Sequence, residues 1–222
     1  MHRCMMQKIL LKSVIILLLI KPAVILAEGN LPPYPAITNA GAREMAQAYV
    51  YYMGQSISVK QLSEKLPKLA SELNRAQLGF DRIFKSAVET IDLILSKDNN
   101  HWSKDKPQLL RDIEASFDNN LVTAEQVKQF IDEIDNRSKG VIPSPILESL
   151  LIYKPAFIRY PADEFSQGYI ETFHTIGHPK AKGVDFKIEY PKSWRPQEGK
   201  RPNVVQTIVS ENGRGLESIV LV

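Results

Sequence analysis

Glu171, His174 and His178 lie in the run Glu171-Thr-Phe-His-Thr-Ile-Gly-His-Pro179, which offers one carboxylate and two imidazoles within eight positions. These ligand types suit zinc, and histidines four apart share one face of a helix. The three would serve a periplasmic metal-binding protein or hydrolase if the segment were helical. Gly177 and Pro179 argue that any helix has ended by then. The His-Glu-x-x-His order of zinc proteases is also absent. A second constellation, Trp194, Arg195, Lys200 and Arg201, joins an aromatic ring to cations in the stretch Pro191–Pro202. Charge complementarity would direct it to an anionic glycan, a lipid headgroup or an acidic protein. The run Asp118 to Gln126 superficially resembles the end of a calcium loop. Its alignment puts Ala115 first, Asn120 at the glycine position and Gln126 last, and calcium coordination needs better donors.

Nucleophilic catalysis has little material, with one cysteine, Cys4, and neither a Gly-x-Ser-x-Gly elbow nor a phosphate-cradling glycine loop. His101, beside Trp102 in an Asn-rich turn, reads as a surface residue. Asp132, Glu133 and Asp135 read as solubilising charges, because a catalytic carboxyl needs burial or a close partner to shift its pKa. No catalytic residue, cofactor or cofactor-binding residue is assigned.

The elements that would position these residues follow from periodicity. Val59, Leu62, Leu66, Leu69, Leu73, Ala76, Phe80, Ile83 and Ala87 recur at alternating spacings of three and four. Such a seam lines one face of a long helix or of two helices in succession, with a kink or a fresh start at Pro67. Phe84, Val88, Ile91 and Leu95 widen the stripe, which favours an antiparallel bundle over a self-associating coiled coil. Upstream, a helix is expected over 40–54 with Gly54 as its stop. Further helices are expected over 107–117, from a capping box at Thr123–Gln126 to about Ser138, and from Pro145 to about Tyr153. A short helix over 163–173 follows. Beyond it, Gly and Pro punctuate the chain, and strands are expected near 184–190, 203–209 and 216–222. In the first strand Val184, Phe186, Ile188 and Tyr190 share the inner side.

Residues 1–27 carry the pattern of a cleaved export signal: Arg3, Lys8 and Lys12, then the apolar Val14 to Ile20, then small residues to Ala27. Lys21 and Pro22 cut the apolar run short of the roughly 20 residues a spanning helix needs. The expectation is an exported protein, periplasmic or extracellular, with an uncleaved N-terminal anchor as the minor alternative and no stable transmembrane span after cleavage. That segment holds four of the 28 basic residues and none of the 25 acidic ones, so the remainder is near neutral at 24 against 25. Nucleic-acid binding thereby loses its global support. Removing Cys4 also leaves no disulfide, so packing or a partner must supply stability. Residues 28–39 form an extended lead-in containing Pro32, Pro33 and Pro35.

The run Val184-Asp-Phe-Lys-Ile-Glu-Tyr-Pro-Lys-Ser-Trp194, followed by a basic loop, a strand and a hairpin, resembles the opening of a PsbP-like α/β domain. The likeness covers about forty of the 222 residues. It implies an antiparallel sheet backed by helices in an exported protein, the best known members being accessory proteins of photosynthetic complexes. It carries over no ligand or catalytic residue. The helical region resembles uncharacterised exported bacterial proteins. The expected fold is α+β: a helical region over 40–155, then a small, incomplete antiparallel sheet over 156–222. The apolar Ile219-Val-Leu-Val222 reads as a strand whose neighbours a partner or a longer reading frame supplies. The expected function is that of a non-enzymatic accessory or interaction protein with a protein partner or an anionic envelope component. Its oligomeric state stays open.

Overall fold

The computed structural model describes residues 39–98, 101–116, 122–142, 144–213, 215 and 217–222. Residues 1–38, read from sequence as an export signal and most of the proline lead-in, lie outside the described residues, as do Asn99, Asn100 and residues 117–121. The architecture is α+β: a helical stretch followed by two small antiparallel sheets. It divides into two compact units, residues 39–150 and 151–222.

The first unit is built on a helical hairpin, α1 (Asn39–Lys65) and α2 (Ala70–Asp98). The expected stop at Gly54 does not occur. One interior glycine costs a helix only about 1 kcal/mol, and burial of Gln55, Val59 and Leu62 beyond it carries the helix onward. A Cβ added at Gly54 would stand 3.9 Å from the Ile113 methyl, an ordinary contact. Pro67 does divide the apolar seam. Leu66 N–H still bonds to Leu62, and a turn at 67–69 leads into α2. Tyr52 then stacks on Phe80 at 5.9 Å and Gln55 meets Gln77, so the two helices run antiparallel.

α3 (Trp102–Ala115) starts a turn earlier than the sequence predicts and carries Pro107 inside it. The buried Trp102 explains the extension: its ring meets Tyr49 edge-on at 5.2 Å and its N–H donates to Asp92 at 2.9 Å. α4 (Ala124–Ser138) follows the sequence closely. Gln126 N–H donates to the Thr123 hydroxyl, and Thr123 N–H donates to the Gln126 side-chain oxygen. Gly140, at φ 87°, ends the helix region in a conformation glycine adopts readily. Val127, Phe130 and Ile134 on α4 are buried, and α4 packs against α2. α5 (Pro145–Ile152) spans the division between units and buries Leu147, Leu150 and Leu151. Among the described residues no helix is long and apolar enough to cross a membrane.

The second unit opens with two short helices, α6 (Pro155–Arg159) and α7 (Pro161–Ser166), each with proline at its first turn. The helix expected over 163–173 ends at Ser166. Gly168, at φ 85°, turns the chain, and β1 (Ile170–His174) follows. β1 pairs antiparallel with β2 (Lys187–Pro191), placing Phe173 opposite Ile188 and His174 opposite Lys187. β3 (Arg195–Glu198), β4 (Gln206–Val209) and β5 (Ser218–Leu221) form the second sheet in that order, with the short helix α8 (Ser210–Gly213) between β4 and β5. The sequence reading assigned β3 to a loop and β1 to a helix, so it anticipated one sheet where there are two. Ala181, Val205 and Leu221 form a buried cluster, with Phe173, Ile188 and Ile219 packed on it from both sheets.

Candidate functional site

The residues singled out by chemistry do not converge. On β1, alternation sends Glu171 and His174 to opposite faces, and the shared helix face expected for a metal site does not exist. Glu171 pairs with Lys192 at 2.9 Å. His174 is exposed beside Lys187. His178 lies past the strand, where its Nδ1 accepts the Lys180 N–H and its Nε2 stands 3.3 Å from Glu198. Among the described residues, no three His, Cys, Asp or Glu side chains are grouped to hold a metal ion. The basic constellation is divided by β3: Trp194 and Arg195 stand at its start, Lys200 and Arg201 beyond its end. That separation is roughly 13 Å of extended chain at about 3.3 Å per residue.

The structure instead gathers several of these residues at the end of the second unit where two hairpins turn. The β1–β2 connection, residues 175–186, lies beside the β3–β4 connection that begins at Gly199. Lys180 ties them, pairing with Glu198 at 2.8 Å and donating to the Gly199 carbonyl. The Lys180 ammonium and the His178 ring, hydrogen-bonded to Glu198, hold its carboxyl below the usual range. Gly199 is required where it stands, because a Cβ there would collide with the Val204 carbonyl.

The base of the first connection is fixed by Thr175, which is fully buried. Its N–H donates to the Phe186 carbonyl at 3.1 Å, and its hydroxyl accepts the Phe186 N–H at 2.9 Å and donates to the Val184 carbonyl at 2.8 Å. These side-chain bonds replace the next rung of the ladder, which accordingly ends at His174 and Lys187. The strand predicted from Val184 therefore begins at Lys187. Val184 and Phe186, expected inside, are 60% and 39% exposed, while Ile188 is half-buried and Tyr190 buried as expected. Ile176 is 71% exposed beside Thr175. Further along, a single 3-10 turn (Pro179–Ala181) tucks Ala181 into the apolar cluster. The connection is thus braced at Thr175, Lys180 and Ala181 while three large apolar side chains face outward.

Sequence reasoning missed this arrangement because period-two alternation counted Val184 and Phe186 with the inner face. A threonine just past the segment expected as the 163–173 helix, able to bond across to the returning chain, was the available signal.

A different cluster fixes the Tyr190-Pro-Lys-Ser-Trp194 turn. Glu164 on α7 is 1% exposed and accepts both the Ser193 N–H at 2.7 Å and the Ser193 hydroxyl at 2.6 Å. Lys154 lies over the Phe157 ring at 4.2 Å and donates to Gln167. Burial lowers its pKa, against the opposing pull of Glu164 and Asp163. Tyr169 is pushed up to about 12 by burial and by Glu164. Serine with a carboxylate invites a catalytic reading, but Ser193 is itself buried and its proton is committed to Glu164. The cluster fastens a turn to a helix.

The first unit has a polar counterpart: Gln55, Gln77, Asp81, Ser56 and Arg137 form one partly buried hydrogen-bond network between α1, α2 and α4. A shallow groove of about 390 Å³ opens above it, lined by Ser56, Lys60, Glu64 and Asn74 among others. The Gln77 amide at its floor is already engaged on both atoms.

Compared with family models, with curated proteins and with solved structures, the chain matches none, so its function has to be argued from its own residues.

Proposed function

We propose that the chain is an exported, non-enzymatic accessory or interaction protein, and that the hairpin-loop end of its second unit is the surface that meets another macromolecule. The observation that carries this reading is the braced β1–β2 connection. Exposed apolar residues on a slack loop are ordinary, but here hydrogen bonds of the buried Thr175 hold Val184 and Phe186 outward. Clustered apolar exposure on an ordered scaffold is characteristic of binding surfaces. The adjoining Lys200 and Arg201, singled out by sequence, add positive charge at the same end. Export is supported by the pattern of residues 1–27, and the resemblance to PsbP-like domains is compatible with an accessory role.

The test is a photo-crosslinking amino acid placed at Val184, with Ser96 on α2 as an exposed control site, in cells that express the chain. The expected result is an adduct from position 184 that the control does not give. An absence of adducts at Val184, with the folded protein present, removes the reading.

A further inference from the structure

We infer that the occupant of this loop end is an anionic lipid surface, a deduction that rests on the reading above and names its partner. Three features select lipid over protein. The first is the mixture of side chains: Ile176, Val184 and Phe186 project from a loop connection, and apolar side chains of this kind can sit beneath lipid headgroups. The second is charge. Lys182 on the first connection and Lys187 at the start of β2 are exposed and make no ion pair among the described residues, and the same holds for Lys200 and Arg201 on the second connection. Asp185 is the one carboxylate on these two connections without an ion pair among the described residues, so their unpaired charge is two units positive, and Lys187 at the start of β2 adds a further cation. Glu198, at the end of β3, is paired with Lys180 at 2.8 Å. Cations around exposed apolar residues match a layer of lipid phosphates above hydrocarbon, with each lysine stem lying along apolar surface and its ammonium in the headgroup layer.

The third feature is rigidity. The left-handed Lys182 (φ 50°) sits between the 3-10 turn and Gly183 (φ 82°), where a local bend turns the chain back toward Val184. Ala181 is anchored in the core one residue earlier. The apolar residues are therefore presented without the ordering cost that a disordered loop pays on binding.

The experiment uses the chain purified after export, with Cys4 replaced by serine if it is retained and a polarity-sensitive dye on Val184→Cys. Phosphatidylglycerol vesicles are expected to shift the dye emission to the blue, and phosphatidylcholine vesicles are not. A dye on Thr172→Cys, on the outer face of β1, is expected to show no shift with either. The double substitution Lys182→Glu with Lys200→Glu should weaken the response tenfold or more, as should Ile176→Asp. Those side chains are exposed, so an unchanged circular dichroism spectrum is expected of each variant. No blue shift with anionic vesicles, or a shift that the charge reversals leave intact, overturns the lipid assignment. If the Val184 crosslinker then captures a protein, the interaction reading survives with a different occupant. If it captures nothing, both fall.

Discussion

Glu164 offers the sharpest quantitative test of how the second unit is held together. Replacing it with alanine removes a carboxylate that accepts two short bonds from Ser193 inside the protein. A buried donor left without its acceptor costs about 1–3 kcal/mol, and two donors are affected, although the Ser193 hydroxyl can rotate toward another acceptor. Adding the space vacated by the side chain, Glu164→Ala should cost about 3–5 kcal/mol. Glu164→Gln keeps one oxygen for the Ser193 N–H and loses charge assistance, so about 1–2 kcal/mol is expected. Ser193→Ala retains the N–H bond and should cost about 1 kcal/mol. Each unit contains one tryptophan, Trp102 and Trp194. Urea unfolding followed by Trp194 fluorescence in a Trp102→Phe background therefore reads the second unit selectively. In a double-mutant cycle, Glu164→Ala and Ser193→Ala should be non-additive by about 1 kcal/mol or more. A cost for Glu164→Ala below about 1 kcal/mol, or strict additivity with Ser193→Ala, would refute the claim that this pair fastens the turn.

Other expectations cover both units. Gly54→Ala should stabilise the first unit by about 1 kcal/mol, because the added methyl meets only Ile113 at 3.9 Å and glycine is a poor helix former; a lower urea midpoint would contradict the uninterrupted helix. Thr123→Ala breaks the capping box and should lower stability by about 1 kcal/mol, with faster amide exchange confined to the first turn of α4. Glu198 has a depressed folded pKa, so its contribution is present above the ordinary carboxylate value and is lost as pH falls through the lower folded value. Amide exchange at Lys180 and Ala181 should accelerate in that acid window, and Glu198→Gln should abolish the pH dependence. Tyr169 has the opposite sign, its raised value favouring the neutral ring. Its contribution is complete below the ordinary tyrosine value and is lost as pH rises through about 12, so a Tyr169→Phe variant should lose part of the tyrosinate absorbance that appears late in an alkaline titration.

The legible parts of this fold are those in which local chemistry and tertiary packing agree. Thr123 and Gln126 announce a helix start that the structure reproduces bond for bond, and Pro67 breaks a seam that would otherwise read as one helix. Gly54 and Trp102 mislead for a shared reason. A local stop signal and an apparent turn are each overridden by burial, of Gln55, Val59 and Leu62 in one case and of the Trp102 indole in the other. β3 escaped because Arg195-Pro-Gln-Glu198 has neither apolar alternation nor β-branched residues, and its strand character comes from β4, against which it pairs. At the candidate surface the individual cations Lys200 and Arg201 were visible. Their placement beside Val184 and Ile176 was not, because it depends on Lys180 reaching Gly199 across nineteen positions.

The same logic bears on the apolar seam of the first unit. Val59, Leu62, Leu73, Ala76, Phe80 and Ala87 are buried within the unit. Beneath them Gln55 accepts a bond from the buried Arg137 of α4 and donates to Gln77 of α2, so one amide links three helices. A partner helix reaching the seam would have to displace α1 or α4 and break the bonds that Gln55 makes to Arg137 and Gln77. Breaking such a buried hydrogen bond to a charged group costs about 1.5–3 kcal/mol, before the lost apolar packing is counted. Self-association along the seam thus competes against the unit's own fold. The exposed Leu78 and Leu93 on α2 remain accessible without that penalty. A concentration-dependent oligomer that survives Leu78→Lys and Leu93→Lys while abolishing the Gln55–Arg137 contact would show that the seam can be reopened. Loss of the oligomer with those two substitutions would place any such contact on the outside of an intact bundle.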